Sequence, residues 1–181
     1  MDAPIRAIVV EAPHVLVVTS TRALLYTVEG QLLWFSILSS SPLEHCAGSV
    51  GKLELGVACD GVARVLAVSS GTVKWQWSPK SERDGRWRAL QVTHNGESSW
   101  QFYGVVDGHL AVLNVPLGGG SVNVALKVFE STPKPSTILV DGSNALIVDS
   151  ISASLVSMPQ GDFKIQSLNI AVLFFYLSFA K

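Results

Sequence analysis

The sequence predicts an all-β protein built from repeated antiparallel sheets. Asp-Gly pairs stand between runs of aliphatic and β-branched residues, the resulting units recur about every 40 residues, and two units carry a tryptophan at the same offset from a glycine. No stretch sustains the 3.6-residue periodicity of an amphipathic helix. Because four strands per unit at this period are typical of propeller blades, we expect a partial β-propeller of about four four-stranded antiparallel blades.

The first turn of each predicted unit joins two apolar runs. Asp60-Gly61, Asp107-Gly108 and Asp141-Gly142 occupy this place in three units, and Thr21-Arg22 occupies it in the first. Asp-Gly between strands is a strong hairpin signal because both residues tolerate the positive φ of a type I′ turn. These turns lie near positions 21, 60, 107 and 141, so successive units are 39, 47 and 34 residues apart.

A second turn and a further strand follow each hairpin. We predict the second turns at Glu29-Gly30, Ser70-Gly71, Gly118-Gly119-Gly120 and Ser152-Ala153. Trp34 and Trp75 each lie four residues beyond a turn glycine. A large ring at that position can fill the seam between one blade and the next, so we predict a structural role for both tryptophans. The alternative is a pair of core tryptophans in an ordinary β-sandwich.

The predicted propeller occupies residues 1–168 and starts with a strand from Ile5 to Val10. Alternating charges at residues 80–88 predict a solvated loop, and Pro133 and Pro135 predict a rigid connection between blades. Residues 169–181 form an apolar tail that we expect to be truncated or alternatively spliced. Its apolar run of eleven residues is shorter than the roughly 20 that a membrane-spanning helix needs. We also expect no signal peptide at the start of the sequence.

Composition limits the partners that the chain can have. Charged residues make up 15 % of the chain and the net charge is −1, so we expect no binding to nucleic acid, which requires a basic face. Each blade presents an apolar face and backbone edges that its neighbours must cover. We therefore expect a partial ring to need partner surfaces and to aggregate in isolation.

The two cysteines, Cys46 and Cys59, are too few for a disulfide framework and lack the spacing of metal ligands. We expect two buried thiols that pack as small hydrophobic side chains. A single disulfide between them, formed in a compartment that oxidises thiols, is the alternative.

No residue pattern predicts catalysis. The four histidines, at positions 14, 45, 94 and 109, are scattered and none has ligand spacing to another. His45 and Cys46 are adjacent, and adjacent residues of a strand point to opposite faces. The sequence contains no nucleophile elbow, phosphate-binding loop or dinucleotide fingerprint. We therefore predict no catalytic, cofactor-binding or metal-ligating residue, no cofactor, and a protein that is not an enzyme.

The repeated glycine-to-tryptophan ending of the units resembles the repeats of quinoprotein dehydrogenases. That resemblance implies pyrroloquinoline quinone on the propeller axis, a calcium site built from Glu and Asn, and a pair of adjacent cysteines. Cys46 and Cys59 are not adjacent, which departs from this pattern. A quinone-dependent oxidoreductase and a generic protein-binding propeller both stay as alternatives.

A second resemblance rests on the order of several segments: "GQLLWFSI", "RVLAVSSGTVKW", "WQFYGVV" followed by "HLAVLNV", and "ALIVDSISASLVSM". In residues 5–168 the chain resembles the N-terminal lumenal region of subunit 1 of the endoplasmic reticulum membrane protein complex. The resemblance implies a scaffold that supports the insertion and folding of tail-anchored and multi-pass membrane proteins. It also implies the other complex subunits and client membrane proteins as partners, and the lumenal side of the membrane as location. Membrane association would come from the full-length parent chain.

Overall fold

The computed structural model describes residues 3–78, 87–95, 99–116, 126–129, 136–141, 144–148, 153–157 and 164–170. These ranges contain sixteen strands, which form four separate four-stranded antiparallel sheets. Each sheet is made of four strands that follow one another in the chain and pair in that order. The predicted all-β class and the four four-stranded sheets are therefore confirmed. No helix in the described part of the chain is long and apolar enough to cross a membrane.

The chain divides into two compact units, Met1–Lys134 and Pro135–Lys181. The first unit holds three sheets. Sheet 1 consists of β1 (Ile5–Glu11), β2 (His14–Thr19), β3 (Arg22–Thr27) and β4 (Leu32–Ile37). Sheet 2 consists of β5 (Cys46–Val50), β6 (Glu54–Cys59), β7 (Val62–Ala67) and β8 (Val73–Trp77). Sheet 3 consists of β9 (Arg88–Asn95), β10 (Ser99–Val106), β11 (His109–Pro116) and β12 (Leu126–Phe129).

The second unit holds sheet 4, which consists of β13 (Thr137–Asp141), β14 (Asn144–Val148), β15 (Ala153–Ser157) and β16 (Lys164–Ile170). Strand β16 extends two residues beyond position 168, and the proposed division between 1–168 and 169–181 stays a prediction. The predicted turn at 118–120, the charged residues 80–86, Pro133, Pro135 and the tail from residue 171 lie outside the described residues.

The first turns form two-residue hairpins, with one shift from the prediction. Asp107 and Gly108 have φ angles of 50° and 83°, as a type I′ turn requires, and join β10 to β11. In the Asp60-Gly61 turn, only Gly61 has a positive φ. In sheet 1 the turn is Ser20-Thr21 rather than Thr21-Arg22, because the Thr19 hydroxyl accepts hydrogen bonds from the backbone N–H groups of Thr21 and Arg22 and starts the turn one residue earlier.

Sheet 4 is out of phase with the other three sheets. Its Asp-Gly hairpin joins the first and second strands, whereas in the first three sheets the first turn joins the second and third strands. The sheet is completed instead by β16 from further along the chain. The short spacing of 34 residues before this hairpin is the corresponding sequence signal.

The three sheets of the first unit pack face to face through two apolar cores. Alternate residues of sheet 2 point to opposite faces, as strand geometry requires. Leu55 and Val57 of β6 are buried against sheet 1, where they meet Leu16 and other residues of that sheet. Ala58 points the other way, into a core shared with sheet 3 that contains Trp100. Sheet 2 is therefore covered on both faces.

Close approach of sheets 2 and 3 depends on a small residue in β6. A Cβ added to Gly56 would lie 2.7 Å from Trp100 Cε3 and 2.7 Å from Val92 Cγ1. These separations are too short for any side chain, so glycine allows the indole of Trp100 to lie directly on the backbone of β6.

Candidate functional site

Trp34 lies across the seam between sheets 1 and 2. Its indole Nε1 donates a hydrogen bond of 2.6 Å to the Val68 carbonyl. Its ring covers Gly71, where an added Cβ would lie 2.5 Å from Trp34 Cε3. Gly71 also has a φ of 69°, so glycine serves both the turn and the ring that covers it. The predicted seam role of Trp34 is confirmed.

Trp75 covers the next seam, between sheets 2 and 3. Its ring stacks on Phe102 with centroids 5.7 Å apart and planes at 25°. On the same strand, Trp77 meets Trp87 edge to face at 5.5 Å. The predicted role of Trp75 is also confirmed, since its ring, like that of Trp34, packs against the neighbouring sheet at the seam.

The same local distortion places both rings. In β4 the register shifts just before Trp34, which pairs with Leu25 of β3. In β8 the register shifts just before Trp75, which pairs with Val65 of β7. A bulge at the equivalent point of two sheets turns the following side chain toward the next sheet.

Polar side chains also tie the sheets of the first unit together. Arg64 of sheet 2 donates hydrogen bonds to the Ile37 carbonyl of sheet 1 at 2.7 Å and to Gln76 Oε1 at 2.9 Å. Burial lowers the pKa of the Arg64 guanidinium from its ordinary value. Glu54 accepts a hydrogen bond from Trp100 Nε1 of sheet 3 at 3.2 Å and pairs with Lys74 at 2.8 Å. These contacts join sheet 2 to sheet 1 and to sheet 3.

Cys46 and Cys59 form a disulfide bond. They lie directly opposite each other on β5 and β6, with Cα atoms 4.1 Å apart. The expectation of two buried thiols is therefore wrong, although Cys59 is fully buried in the core between sheets 1 and 2. The separation of 13 residues did not predict that Cys46 and Cys59 lie opposite each other, since their pairing depends on the register of the hairpin.

The disulfide brings a small polar cluster together. Glu44, His45 and Asp60 each place a possible ligand atom within 4.8 Å of the others, and within the described residues they form the one such group. Asp60 Oδ2 lies 3.0 Å from His45 Nδ1 and accepts a hydrogen bond from the His45 backbone N–H. The sequence did not predict this meeting, because Asp60 was assigned to turn geometry alone. His45 and Asp60 are partly exposed, so their contact is a surface polar contact of the kind that contributes at most about 1 kcal/mol.

The outer face of sheet 1, which we call the open face, is apolar and exposed. Hydrogen-bonded neighbours form two complete rows across the four strands. The rows are Ile8–Val17–Leu24–Phe35 and Val10–Val15–Tyr26–Leu32. The two edge strands, β1 and β4, carry the most exposed side chains, with Ile8 at 59 %, Val10 at 66 % and Phe35 at 53 %. Contiguous exposed apolar surface of this kind marks an interaction site.

The corresponding rows of sheet 2 lie on the face that packs against sheet 1. They occupy the same register positions relative to the seam tryptophan and run Gly48–Val57–Arg64–Gln76 and Val50–Leu55–Leu66–Val73. Sheet 1 covers the middle of these rows, where Leu55, Val57 and Leu66 are at most 1 % exposed, whereas Val73 and Gln76 on strand β8 are exposed. The open face is therefore a sheet-packing surface without a sheet on it in the first unit.

The sequence signal for the open face is the pattern of β1 to β4. These strands are apolar at both alternating positions, as in "AIVV" and "LLWF", whereas a sheet with one solvated face alternates apolar and polar residues. The pattern predicts burial on both faces. The sequence predicts that the chain needs partner surfaces, and on sheet 1 the open face has no sheet over it within the first unit.

No protein-family model and no curated protein matches the chain. Solved structures do match it. BamB from Moraxella catarrhalis has a TM-score of 0.56 at 17 % identity, over 88 % of this chain and 51 % of that chain. The WD40 domain of SCAP from fission yeast has a TM-score of 0.54 at 11 % identity, over 93 % and 45 %.

A functionally unknown protein from Desulfotomaculum acetoxidans has a TM-score of 0.60 at 12 % identity, over 90 % of this chain and 54 % of that chain. The chain thus spans about half the length of these solved structures. At such low identity the likeness concerns the fold alone. The sheets described above are those of a β-propeller, in agreement with the fold class that the sequence predicts.

Proposed function

We propose that this chain is a non-enzymatic scaffold that binds other proteins through the open face of sheet 1. The observation that carries the proposal is the contrast between two equivalent faces. Val10 on the open face is 66 % exposed and Val15 beside it is half-buried, whereas Val50 and Leu55 at the same positions of sheet 2 are 8 % and 0 % exposed. At about 25 cal/mol per Å² of apolar surface removed from water, covering these rows strongly favours association.

Within this class, the proposed function is that of a subunit of the endoplasmic reticulum membrane protein complex. The chain would support the insertion and folding of tail-anchored and multi-pass membrane proteins from the lumenal side. The Cys46–Cys59 disulfide supports an oxidising compartment, of which the endoplasmic reticulum lumen is one. The resemblance to subunit 1 supports the choice of partners: the other complex subunits and client membrane proteins. Membrane association is assigned to the full-length parent chain.

Purification of the tagged full-length parent from membranes in mild detergent tests this proposal. The unmodified protein is expected to bring down the other complex subunits, identified by mass spectrometry. A parent with both Ile8→Lys and Phe35→Lys is expected to recover them at least about tenfold less, because two unpaired ammonium groups would be buried at the contact. Leu53→Lys is the matched control, since Leu53 is 78 % exposed and lies outside the open face.

Two results would contradict the proposal. Equal recovery of complex subunits by the parent and its double variant would remove the open face from partner binding. Recovery of no subunit of that complex, with the parent located outside the endoplasmic reticulum, would remove the assignment to the complex.

A further inference from the structure

We infer that Glu44, His45 and Asp60 form a binding site for one divalent metal ion of the zinc class. The site lies at one end of sheet 2, where the segment before β5 meets the turn between β6 and β7. The inference goes beyond the proposed scaffold role and does not depend on it. Three observations carry it: the chemistry and closeness of the three side chains, an Asp60 oxygen without a partner, and the fixed backbone that holds the ligands.

The first observation is that the three side chains offer ligand atoms at separations that suit one ion. These atoms all lie within 4.8 Å of one another, and His45 Nδ1 is 3.0 Å from Asp60 Oδ2. Two ligands on a zinc ion, with bonds of about 2.0–2.2 Å and an angle of roughly 90–110°, are about 2.8–3.6 Å apart. The ion can therefore take the place of the proton between Nδ1 and Oδ2, while the other ring nitrogen of His45 carries the imidazole proton.

The types of ligand select the class of ion. An imidazole nitrogen together with carboxylate oxygens suits zinc and the neighbouring first-row metals, whereas Ca²⁺ takes about six to eight oxygen ligands. The Glu44 side chain is exposed and can close onto the ion by rotation about its own bonds. Three protein ligands leave a fourth position for water, which can reach the site because His45 and Asp60 are partly exposed.

The second observation concerns the two oxygens of the Asp60 carboxylate. Oδ2 accepts a hydrogen bond of 3.1 Å from the His45 backbone N–H and lies beside the imidazole. Oδ1 is shielded from solvent and has no hydrogen-bond partner within the described part of the chain. A carboxylate oxygen that loses water without gaining a donor costs free energy. A bound cation compensates the negative charge that the two oxygens share, which the hydrogen bonds of this site leave uncompensated.

Turn chemistry alone does not explain this arrangement. Asp107 is the first residue of the Asp-Gly turn in sheet 3, as Asp60 is in sheet 2, and its side chain is exposed. An Asp-Gly turn requires only residues that tolerate its backbone conformation. The contact of Asp60 with His45 is therefore additional to the turn, and Asp107 provides a matched control for it.

The third observation is that the backbone of the three ligands is fixed. The Cys46–Cys59 disulfide joins the residues directly next to His45 and Asp60. The backbone N–H after Asp60 donates a hydrogen bond of 3.2 Å to the segment before β9, and the N–H before Glu44 donates one of 2.8 Å to the turn between β2 and β3. Ligands on a rigid backbone lose less conformational freedom when they bind, so the site is organised before the ion arrives.

Isothermal titration calorimetry of the full chain with its disulfide intact, using zinc chloride, tests the inference. We expect one Zn²⁺ per chain with half-saturation below about 0.1 mM. His45→Phe and Asp60→Asn are each expected to bind Zn²⁺ at least about tenfold more weakly, because each removes one of three ligands. Asp107→Asn is the matched control and is expected to bind as the unmodified chain does. Circular dichroism verifies that each variant keeps its sheet.

A second measurement locates the ion in the unmodified chain, so that it does not depend on the folding of a variant. Diethyl pyrocarbonate modifies imidazole nitrogens, and mass spectrometry of the peptides measures the modification of each histidine. We expect saturating Zn²⁺ to lower the modification of His45, whose side chain is 46 % exposed, at least about fivefold, because coordination occupies the ring lone pair. Modification of His14, which is half-buried on β2, is expected to stay constant.

Three results would overturn the inference: no saturable binding of Zn²⁺, equal affinity of Asp60→Asn and the unmodified chain, or unchanged modification of His45 at saturating Zn²⁺. Tighter binding of Ca²⁺ than of Zn²⁺ in the same titration would overturn the choice of ion.

Discussion

Replacing Trp34 with alanine tests whether sheets 1 and 2 are held together at their seam by this side chain. Truncation of a fully buried tryptophan costs about 3–5 kcal/mol of unfolding free energy, and Trp34 is partly buried. The substitution removes the 2.6 Å hydrogen bond to the Val68 carbonyl, worth about 1 kcal/mol, and the ring that covers Gly71. We therefore expect a loss of about 2–3 kcal/mol.

Two further variants separate the contribution of the Trp34 hydrogen bond from that of its ring, and compare both with an exposed ring on the same strand. Trp34→Phe keeps most of the ring area but removes the N–H donor, so it is expected to cost about 1 kcal/mol. Phe35→Ala is the matched control, because Phe35 is the next residue of the same strand, faces the opposite side and is 53 % exposed. Its truncation is expected to cost less than about 1 kcal/mol, including its contact with the Arg22 guanidinium.

Urea unfolding followed by far-ultraviolet circular dichroism measures these differences, with all variants at one protein concentration. The assay reports loss of sheet and does not depend on the fluorescence of the substituted residue. A cost for Trp34→Ala below about 0.5 kcal/mol, or equal to that of Phe35→Ala, would show that the seam ring contributes no stability and would refute the reasoning.

Three other substitutions or conditions have defined outcomes. Gly56→Ala is expected to cost about 1–3 kcal/mol in the same urea assay, because its Cβ would lie 2.7 Å from Trp100. The control Gly61→Ala meets no atom within 4 Å and is expected to cost only about 1 kcal/mol, for its positive φ. Equal costs would contradict the close approach of sheets 2 and 3. Reduction of the Cys46–Cys59 disulfide is expected to lower the free energy of unfolding by about 3 kcal/mol, since the bond closes a loop of 13 residues. A mass increase of two hydrogen atoms identifies the reduced form, and unchanged stability would contradict a stabilising role of the bond. Burial raises the pKa of Tyr103 above its ordinary value of 10.0, so the unfolded chain loses the phenol proton first. The free energy of unfolding is therefore expected to fall as pH rises above 10.0, by up to about 1.4 kcal/mol per pH unit. Tyr103→Phe is expected to reduce this slope, and an unaltered slope would contradict the assignment to Tyr103.

Much of the fold was predictable because it is encoded by neighbouring residues. The hairpin at Asp107-Gly108 follows from two residues that tolerate positive φ, and the second turns follow from Gly30 and Gly71. The repeated offset of the tryptophans predicted the seam positions of Trp34 and Trp75. The phase of sheet 4 was not predictable from the sequence, because the same Asp-Gly signal can join any two adjacent strands of a sheet.

The candidate site was only partly predictable. The apolar character of both faces of sheet 1 is present in the sequence, but which face sheet 2 covers is a property of sheet-on-sheet packing. The meeting of His45 with Asp60 and the bond between Cys46 and Cys59 depend on the register of β5 against β6. A shift of one residue in that register would separate both pairs.

By itself, the sequence determined the all-β class, the four sheets, the seam rings and most of the turns that the structure describes, since alternation along a strand and the φ preferences of turn residues act between neighbours in the chain. The tertiary structure alone decided the disulfide, the strand that completes sheet 4 and the exposure of the rows that contain Ile8 and Phe35. These features depend on which distant segments pair and pack, and the free energy of that choice comes from contacts that no local stretch of sequence contains.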